Sequence, residues 1–84
     1  LHDPPQTKIL TQAYILLQVH VGKAQIVKKE LALYPWVLRI DRVMGPFDLI
    51  VLVEAENNQE IGEKFLKEIQ KIKEVKSTLT CPII

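Results

Sequence analysis

The chain has 84 residues, of which 48% are hydrophobic and 25% charged, a balance typical of one globular domain that excludes a disordered chain. Eleven basic residues nearly cancel ten acidic ones, so no basic patch indicates direct contact with nucleic acid. The single cysteine excludes a disulfide framework, and no apolar run approaches the roughly 20 residues that span a bilayer. We therefore expect a cytoplasmic domain with no metal, no cofactor and no membrane contact.

Residues 1–11 contain two consecutive prolines, which predicts an extended segment or the remnant of a linker. The domain itself is expected over residues 12–84, where apolar alternation indicates strands and apolar recurrence at helical spacing indicates helices. In chain order, we predict strand 13–21, helix 23–33, strand 36–44, strand 47–55, a helix from Asn57 and strand 75–84. Gly45 and Pro46 make the tight turn between the second and third strands.

This β-α-β-β-α-β order is that of the ferredoxin-like sandwich, an α+β fold whose right-handed crossovers place both helices on one face of a four-stranded antiparallel sheet. Asn57 and Glu60 resemble a capping box at the start of the second helix. Gly62 inside that helix is expected to cost about 1 kcal/mol against alanine, unless close packing requires the missing side chain.

The sheet face that the helices leave bare is predicted to be apolar as well. It should carry Tyr14, Leu16, Ile50 and Leu52. A contiguous apolar patch of several hundred Å² is rare on a monomer, although scattered surface hydrophobes are the alternative interpretation. We predict that these residues form the interface of a homodimer in which two sheets pack face to face about a two-fold axis.

No catalytic constellation is apparent, and the chain is not predicted to be an enzyme. His20 lacks a sequence neighbour that would orient it as a general base, and Cys81 lacks the cationic neighbour that a nucleophile needs. Asp48 follows the Gly45 turn and can either hold a ligand ammonium group or satisfy backbone amides of the hairpin. Thr78 and Thr80 share one face of the last strand and can donate together to a ligand carboxylate, although threonine is also an ordinary strand residue.

Three segments together carry a family resemblance: residues 43–49 with the pattern Gly-x-x-Asp, residues 53–56, and residues 75–80 with a closing Ser-Thr-x-Thr. From about residue 14 to residue 84, the chain resembles the effector-binding (RAM) domain of the leucine-responsive regulatory protein/AsnC family. The resemblance implies sheet-packed dimers, rings of dimers (octamers or decamers), and an amino acid effector bound between dimers near the turn and the last strand. Carried over, it nominates as ligand-binding residues Gly45, Pro46, Phe47, Asp48, Thr78 and Thr80. Pro46 departs from the polar residue expected at its position and removes one amide donor.

The resemblance implies an amino-acid-sensing and oligomerisation module of transcriptional regulation. Full-length members carry a helix-turn-helix ahead of this domain, which residues 1–11 cannot form, so we expect a module that stands alone or is excised from a regulator and that can assemble with full-length regulators. Two alternatives stay open. One is an ACT-like regulatory domain of a metabolic enzyme, and the other is a small dimeric ferredoxin-like enzyme of the cofactor-free monooxygenase type, for which His20 is the histidine candidate.

Overall fold

A computed structural model of the chain describes residues 10–84. Its elements in chain order are β1 (Thr11–Val19), α1 (Ala24–Leu31), β2 (Val37–Arg42), β3 (Leu49–Ala55), α2 (residues 58–70) and β4 (Val75–Pro82). The predicted β-α-β-β-α-β order is confirmed. Most of the predicted N-terminal segment, residues 1–9, lies outside the described residues.

The four strands form one sheet in the order β2-β3-β1-β4, and every neighbouring pair is antiparallel. Strand β1 therefore lies inside the sheet, where Ile15 pairs with Val51 of β3 on one side and with Thr80 of β4 on the other. Strands β2 and β4 are the edges. The predicted ferredoxin-like sandwich is confirmed by this topology.

The core lies between the sheet and the helices, because alternate residues of β1 and β3 point towards α1 and α2. The buried strand residues are Ala13, Ile15, Leu17 and Val19 of β1 and Leu49, Val51, Val53 and Ala55 of β3. The helices and the segment after α2 add Val27, Leu31, Ile61, Phe65, Ile69 and Ile72. Each fully buried aliphatic or aromatic side chain contributes about 1.5–3 kcal/mol relative to exposure, so this single layer accounts for most of the favourable term in folding.

The predicted strands run too long at several ends. Val21 was expected to continue the buried face of β1, but it lies beyond the end of the strand and its side chain is 99% exposed. Gly22 has φ +77°, a left-handed conformation that turns the chain towards α1. Phe47 was likewise expected in the third strand, whereas β3 begins at Leu49.

Helix α2 begins with the predicted N-cap at Asn57, but the reciprocal bond of the predicted capping box is shifted by one residue, because Glu60 Oε1 accepts from the Glu56 N–H at 3.1 Å. The helix then departs from α-helical geometry. The Asn57 side-chain oxygen accepts a hydrogen bond from the Glu60 backbone N–H at 2.8 Å. The next stretch, Ile61–Phe65, is π-helical, and Leu66–Gln70 returns to α-helix. A Cβ placed on Gly62 would meet no atom within 4 Å, so close packing does not require glycine there.

Candidate functional site

The four predicted interface residues lie side by side on the sheet face opposite the helices. Tyr14 of β1 pairs with Leu52 of β3, and Leu16 pairs with Ile50. Leu79 of β4 extends the patch because it pairs with Leu16 from the other side. Tyr14 is 43% exposed, which is unusual for an aromatic ring in the middle of a sheet. Their role as an interface stays a prediction.

A charged pair borders this apolar face along the edge strand β2. Arg39 Nε lies 2.8 Å from Asp41 Oδ2; the Arg39 side chain is largely accessible to solvent and the Asp41 side chain is about half accessible. The pair, together with Tyr14, Ile50 and Leu52, lines a shallow cavity of about 210 Å³. An exposed ion pair of this kind contributes little to stability, so its main effect is to make the rim of the patch polar.

The turn between β2 and β3 protrudes from one end of the sheet. Its base is closed by the Val43 N–H, which donates to the Asp48 carbonyl oxygen at 3.0 Å. Gly45 has φ +133°, a conformation that L side chains rarely adopt. Met44 is fully exposed and Phe47 is half-buried. The tip is therefore an exposed surface on a fixed base.

Asp48 is tied to the central strand by two hydrogen bonds. Its backbone N–H donates to the Leu17 carbonyl oxygen, and its side-chain Oδ2 accepts from the Val19 N–H, both at 2.8 Å. The carboxylate thus satisfies a backbone amide near the end of β1. Within residues 10–84, the other carboxylate oxygen, Oδ1, has no hydrogen-bond partner and is available to a ligand.

A cavity of about 340 Å³ opens beside Asp48, at the end of β1 and the start of α1. Its lining residues are Val19, His20, Val21, Gly22, Ala24, Gln25, Arg42 and Asp48. Helix α1 begins there with no side-chain cap and no acidic residue in its first turn. Because free N–H groups at a helix N-terminus carry partial positive charge, they and the Arg42 guanidinium add positive charge to a cavity that the Asp48 carboxylate also lines.

Of the six nominated ligand-binding residues, only Asp48 lines this cavity. Thr78 and Thr80 pair with Leu17 and Ile15 and so lie on the helix-facing side of β4. Thr78 Oγ1 accepts a long hydrogen bond from the Gln70 side chain at 3.4 Å. Gly45, Pro46 and Phe47 belong to the neighbouring turn.

Sequence reasoning missed Arg42, and the hairpin register contained the signal. Arg42 pairs with Leu49, so the residue just before Leu49, Asp48, must lie close to the end of β2. A hairpin whose two arms end in opposite charges brings those charges to the same end of the sheet. The start of α1 was predicted to within one residue, at residue 23, but its place in the site was missed, although Gly22 followed by an uncapped helix indicates it.

A second polar cluster lies away from this site, where the helices end. Burial raises the pKa of the Tyr34 hydroxyl, and the adjacent Glu68 carboxylate raises it further. The Lys71 ammonium, which donates to Glu68 at 3.1 Å, lowers the pKa of that carboxyl. Within the described residues, no group of histidine, cysteine and acidic side chains is arranged to hold a metal ion.

Comparison with known proteins gives a consistent result. The family model of the Lrp/AsnC ligand binding domain matches residues 12–84. The HTH-type transcriptional regulator FL11 of Pyrococcus horikoshii is 30% identical over 82 residues, which cover 98% of this chain and 54% of the regulator. The chain spans about half the length of the curated relatives that it matches.

Solved structures agree with the fold. FFRP-DM1 superposes with a TM-score of 0.75 at 35% identity, covering 88% of this chain and 99% of that one. AsnC from E. coli superposes with a TM-score of 0.81 at 16% identity, covering 88% of this chain and 50% of that one, and shows the fold alone. No helix among residues 10–84 is long and apolar enough to span a membrane.

Proposed function

The chain belongs to the Lrp/AsnC ligand-binding domain family, and from this premise we propose that it is an amino-acid-sensing module that regulates transcription through its assembly state. The cavity that brings Arg42, Asp48 and the start of α1 together carries this proposal. The module acts in the cytoplasm by binding and assembly and catalyses no reaction.

A free amino acid matches the charges of the cavity. Its carboxylate pairs with the Arg42 guanidinium and with the free N–H groups at the start of α1, where anions are favoured. Its ammonium group pairs with Asp48 Oδ1, since Oδ2 already accepts from Val19. The volume of about 340 Å³ is within the usual range for small-ligand pockets and leaves room for a side chain.

The effector acts by completing a contact between subunits. Two copies pack through the open sheet face, which buries Tyr14, Leu16, Ile50 and Leu52 against their counterparts. Val21 at the mouth of the cavity and Met44 at the tip of the nearby turn are fully exposed apolar side chains, and a neighbouring dimer covers them. A ligand seated at that contact favours rings of dimers, octamers or decamers, by a coupling of about 1–3 kcal/mol.

The DNA-binding step belongs to other polypeptide segments. FL11 of P. horikoshii is an HTH-type transcriptional regulator, and this chain covers only 54% of it. The nearly balanced charge of the chain offers no phosphate-binding stripe. The module therefore reaches DNA through a helix-turn-helix that lies outside residues 10–84, either in the same polypeptide or in a regulator of the same family with which it assembles.

Calorimetric titration against the twenty amino acids, with light scattering on the same samples, tests the sensing half of the proposal. We expect at least one amino acid to bind and to shift the mass distribution towards larger assemblies. Arg42→Gln should abolish binding because it removes the positive charge that pairs with the ligand carboxylate. Absence of binding by all twenty, or binding that Arg42→Gln leaves intact, would contradict the proposed site.

The dimer is tested by a charge placed on the open face. Ile50→Lys should convert dimers to monomers without unfolding them, because Ile50 is already partly exposed on the isolated domain. Leu33→Lys is the matched control, since Leu33 is 82% exposed and lies just after α1, outside the open face. Sedimentation of both variants at equal concentration gives their oligomeric state. A dimer that persists in Ile50→Lys would show that the interface lies elsewhere.

A further inference from the structure

Gln18 joins the turn between β2 and β3 to the fourth strand. It is the last outward-facing residue of β1, in line with Tyr14 and Leu16 on the open face. Its side-chain Nε2 donates to the Pro46 carbonyl oxygen at 2.7 Å, and its Oε1 accepts from the Ser77 hydroxyl at 2.6 Å. A carbonyl oxygen can only accept, so the orientation of the amide follows from its partners. Both ends of the Gln18 amide are therefore engaged.

The turn depends on this amide for its position. Pro46 has no N–H, and Gly45 at φ +133° adds no side chain that could pack. In the part of the chain that the structure describes, the Gln18 bond is the only hydrogen bond made to residues 44–47. The other bonds of the hairpin lie at its base, from Val43 and Asp48.

The turn between β2 and β3 also connects Arg42 and Asp48, the two charged residues that line the cavity. Arg42 precedes residues 43–47 and Asp48 follows them, so the two charged residues flank this short segment. The same segment presents Met44, the fully exposed side chain next to the cavity. Neither Gln18 nor Ser77 lines the cavity.

We propose that Gln18 is a positioning residue for the effector site, which holds the turn against β4 and links the open sheet face to the cavity. This inference rests on the proposed function for its effect on effector affinity. Its structural half, the ordering of the turn by Gln18, is independent of any ligand.

Two substitutions and two controls test the positioning role of Gln18. Gln18→Leu removes both hydrogen bonds, and Ser77→Ala removes one, whereas Ser77→Thr keeps the hydroxyl and should restore wild-type behaviour. Gln12→Leu is the matched control, because Gln12 lies on the same strand, and its amide bonds to Glu54 at 3.3 Å in the half of β1 remote from the turn. All four variants should fold, since these hydrogen bonds involve side chains that are only partly buried.

The first measurement is backbone relaxation in the ligand-free protein, with amide hydrogen exchange at Val43, whose N–H is hydrogen-bonded at the base of the turn. We expect faster motion at the amides of Met44, Gly45 and Phe47 and faster exchange at Val43 in Gln18→Leu, and wild-type values in Gln12→Leu. Unchanged turn amides in Gln18→Leu would overturn the inference whether or not an effector binds.

The second measurement is effector affinity, with the amino acid identified by titration of the wild-type protein. Gln18→Leu should weaken binding about 3- to 10-fold, the effect of losing the one hydrogen bond that reaches the turn, and Ser77→Ala should weaken it by less. A loosened turn with unchanged affinity, or an equal loss in Gln12→Leu, would overturn the positioning role. If the wild-type protein binds no amino acid, the proposed function fails, while the relaxation measurement still decides whether Gln18 orders the turn.

Discussion

Asp48 has two roles in the proposed function. One carboxylate oxygen accepts a hydrogen bond from a backbone amide of β1, and the other binds the ammonium group of the effector. Two substitutions separate these roles. Asp48→Ala leaves the N–H of Val19, a buried residue, without its acceptor at 2.8 Å. The loss of a hydrogen bond to a charged group lowers the free energy of unfolding by about 1.5–3 kcal/mol. Asp48→Asn keeps an amide oxygen for the same bond and should cost about 1 kcal/mol or less.

Effector affinity should respond differently from stability. Both variants remove the negative charge that pairs with the ammonium group, so both should bind the effector at least about tenfold more weakly. Urea unfolding followed by Trp36 fluorescence gives stability at one fixed protein concentration, and calorimetric titration gives affinity. Asp41→Asn is the control, because among residues 10–84 Asp41 pairs only with the exposed Arg39, and this substitution should change stability by less than about 0.5 kcal/mol. Equal stability of Asp48→Ala and Asp48→Asn, or wild-type affinity of Asp48→Asn, would refute this account.

Three further predictions concern α2 and the side chains that contact it. Gly62→Ala should raise the free energy of unfolding by about 0.5–1 kcal/mol, because the added methyl group meets nothing within 4 Å; a lower melting temperature would show that the π-helical stretch needs glycine. Phe65→Ala should cost about 3–5 kcal/mol and shift Trp36 fluorescence, since the two rings stack with centroids 4.0 Å apart; a fluorescence spectrum like that of the wild type would contradict this. The pKa of Tyr34 is raised in the folded state, so stability should fall as pH rises above 10.0, and Tyr34→Phe should remove that loss in pH-dependent urea unfolding; an unchanged alkaline slope would count against it.

The sequence was sufficient for the fold because two independent periodicities agreed. Alternation along β1 and β3 and helical spacing in α2 each predicted one buried face, and these faces form the observed core. The ends of the elements were not predictable to the same degree. Val21 continues the alternation of β1, but strand length depends on how far β4 pairs, and that ladder becomes irregular between Gln18 and Val19. The hydrophobic pattern of one strand does not indicate where the neighbouring strand ends.

The charged walls of the cavity depend on a feature that the sequence pattern does not reveal. Strand β2 contains a bulge between Val37 and Arg39, which reverses the faces of the residues that follow it. As a result Ile40 packs against the core, while Arg39 and Asp41 lie on the open face. Arg42, which pairs with Leu49, consequently lies on the helix side, where the cavity and the start of α1 are. Without the bulge, strict alternation would direct Arg42 to the open face.

The central position of β1 explains how a small effector can influence assembly in the proposed mechanism. Tyr14 and Leu16 belong to the open face, whereas the backbone of Leu17 and Val19 holds Asp48 at the cavity. Both surfaces therefore share one strand, along which Leu16 of the open face is adjacent to Leu17. Close-packed protein interiors have low compressibility and transmit strain, so a small displacement at one end of a hydrogen-bonded strand also moves the neighbouring residues of that strand. The coupling of about 1–3 kcal/mol proposed for the contact between dimers therefore needs no long pathway, because the cavity and the dimer face adjoin along one strand.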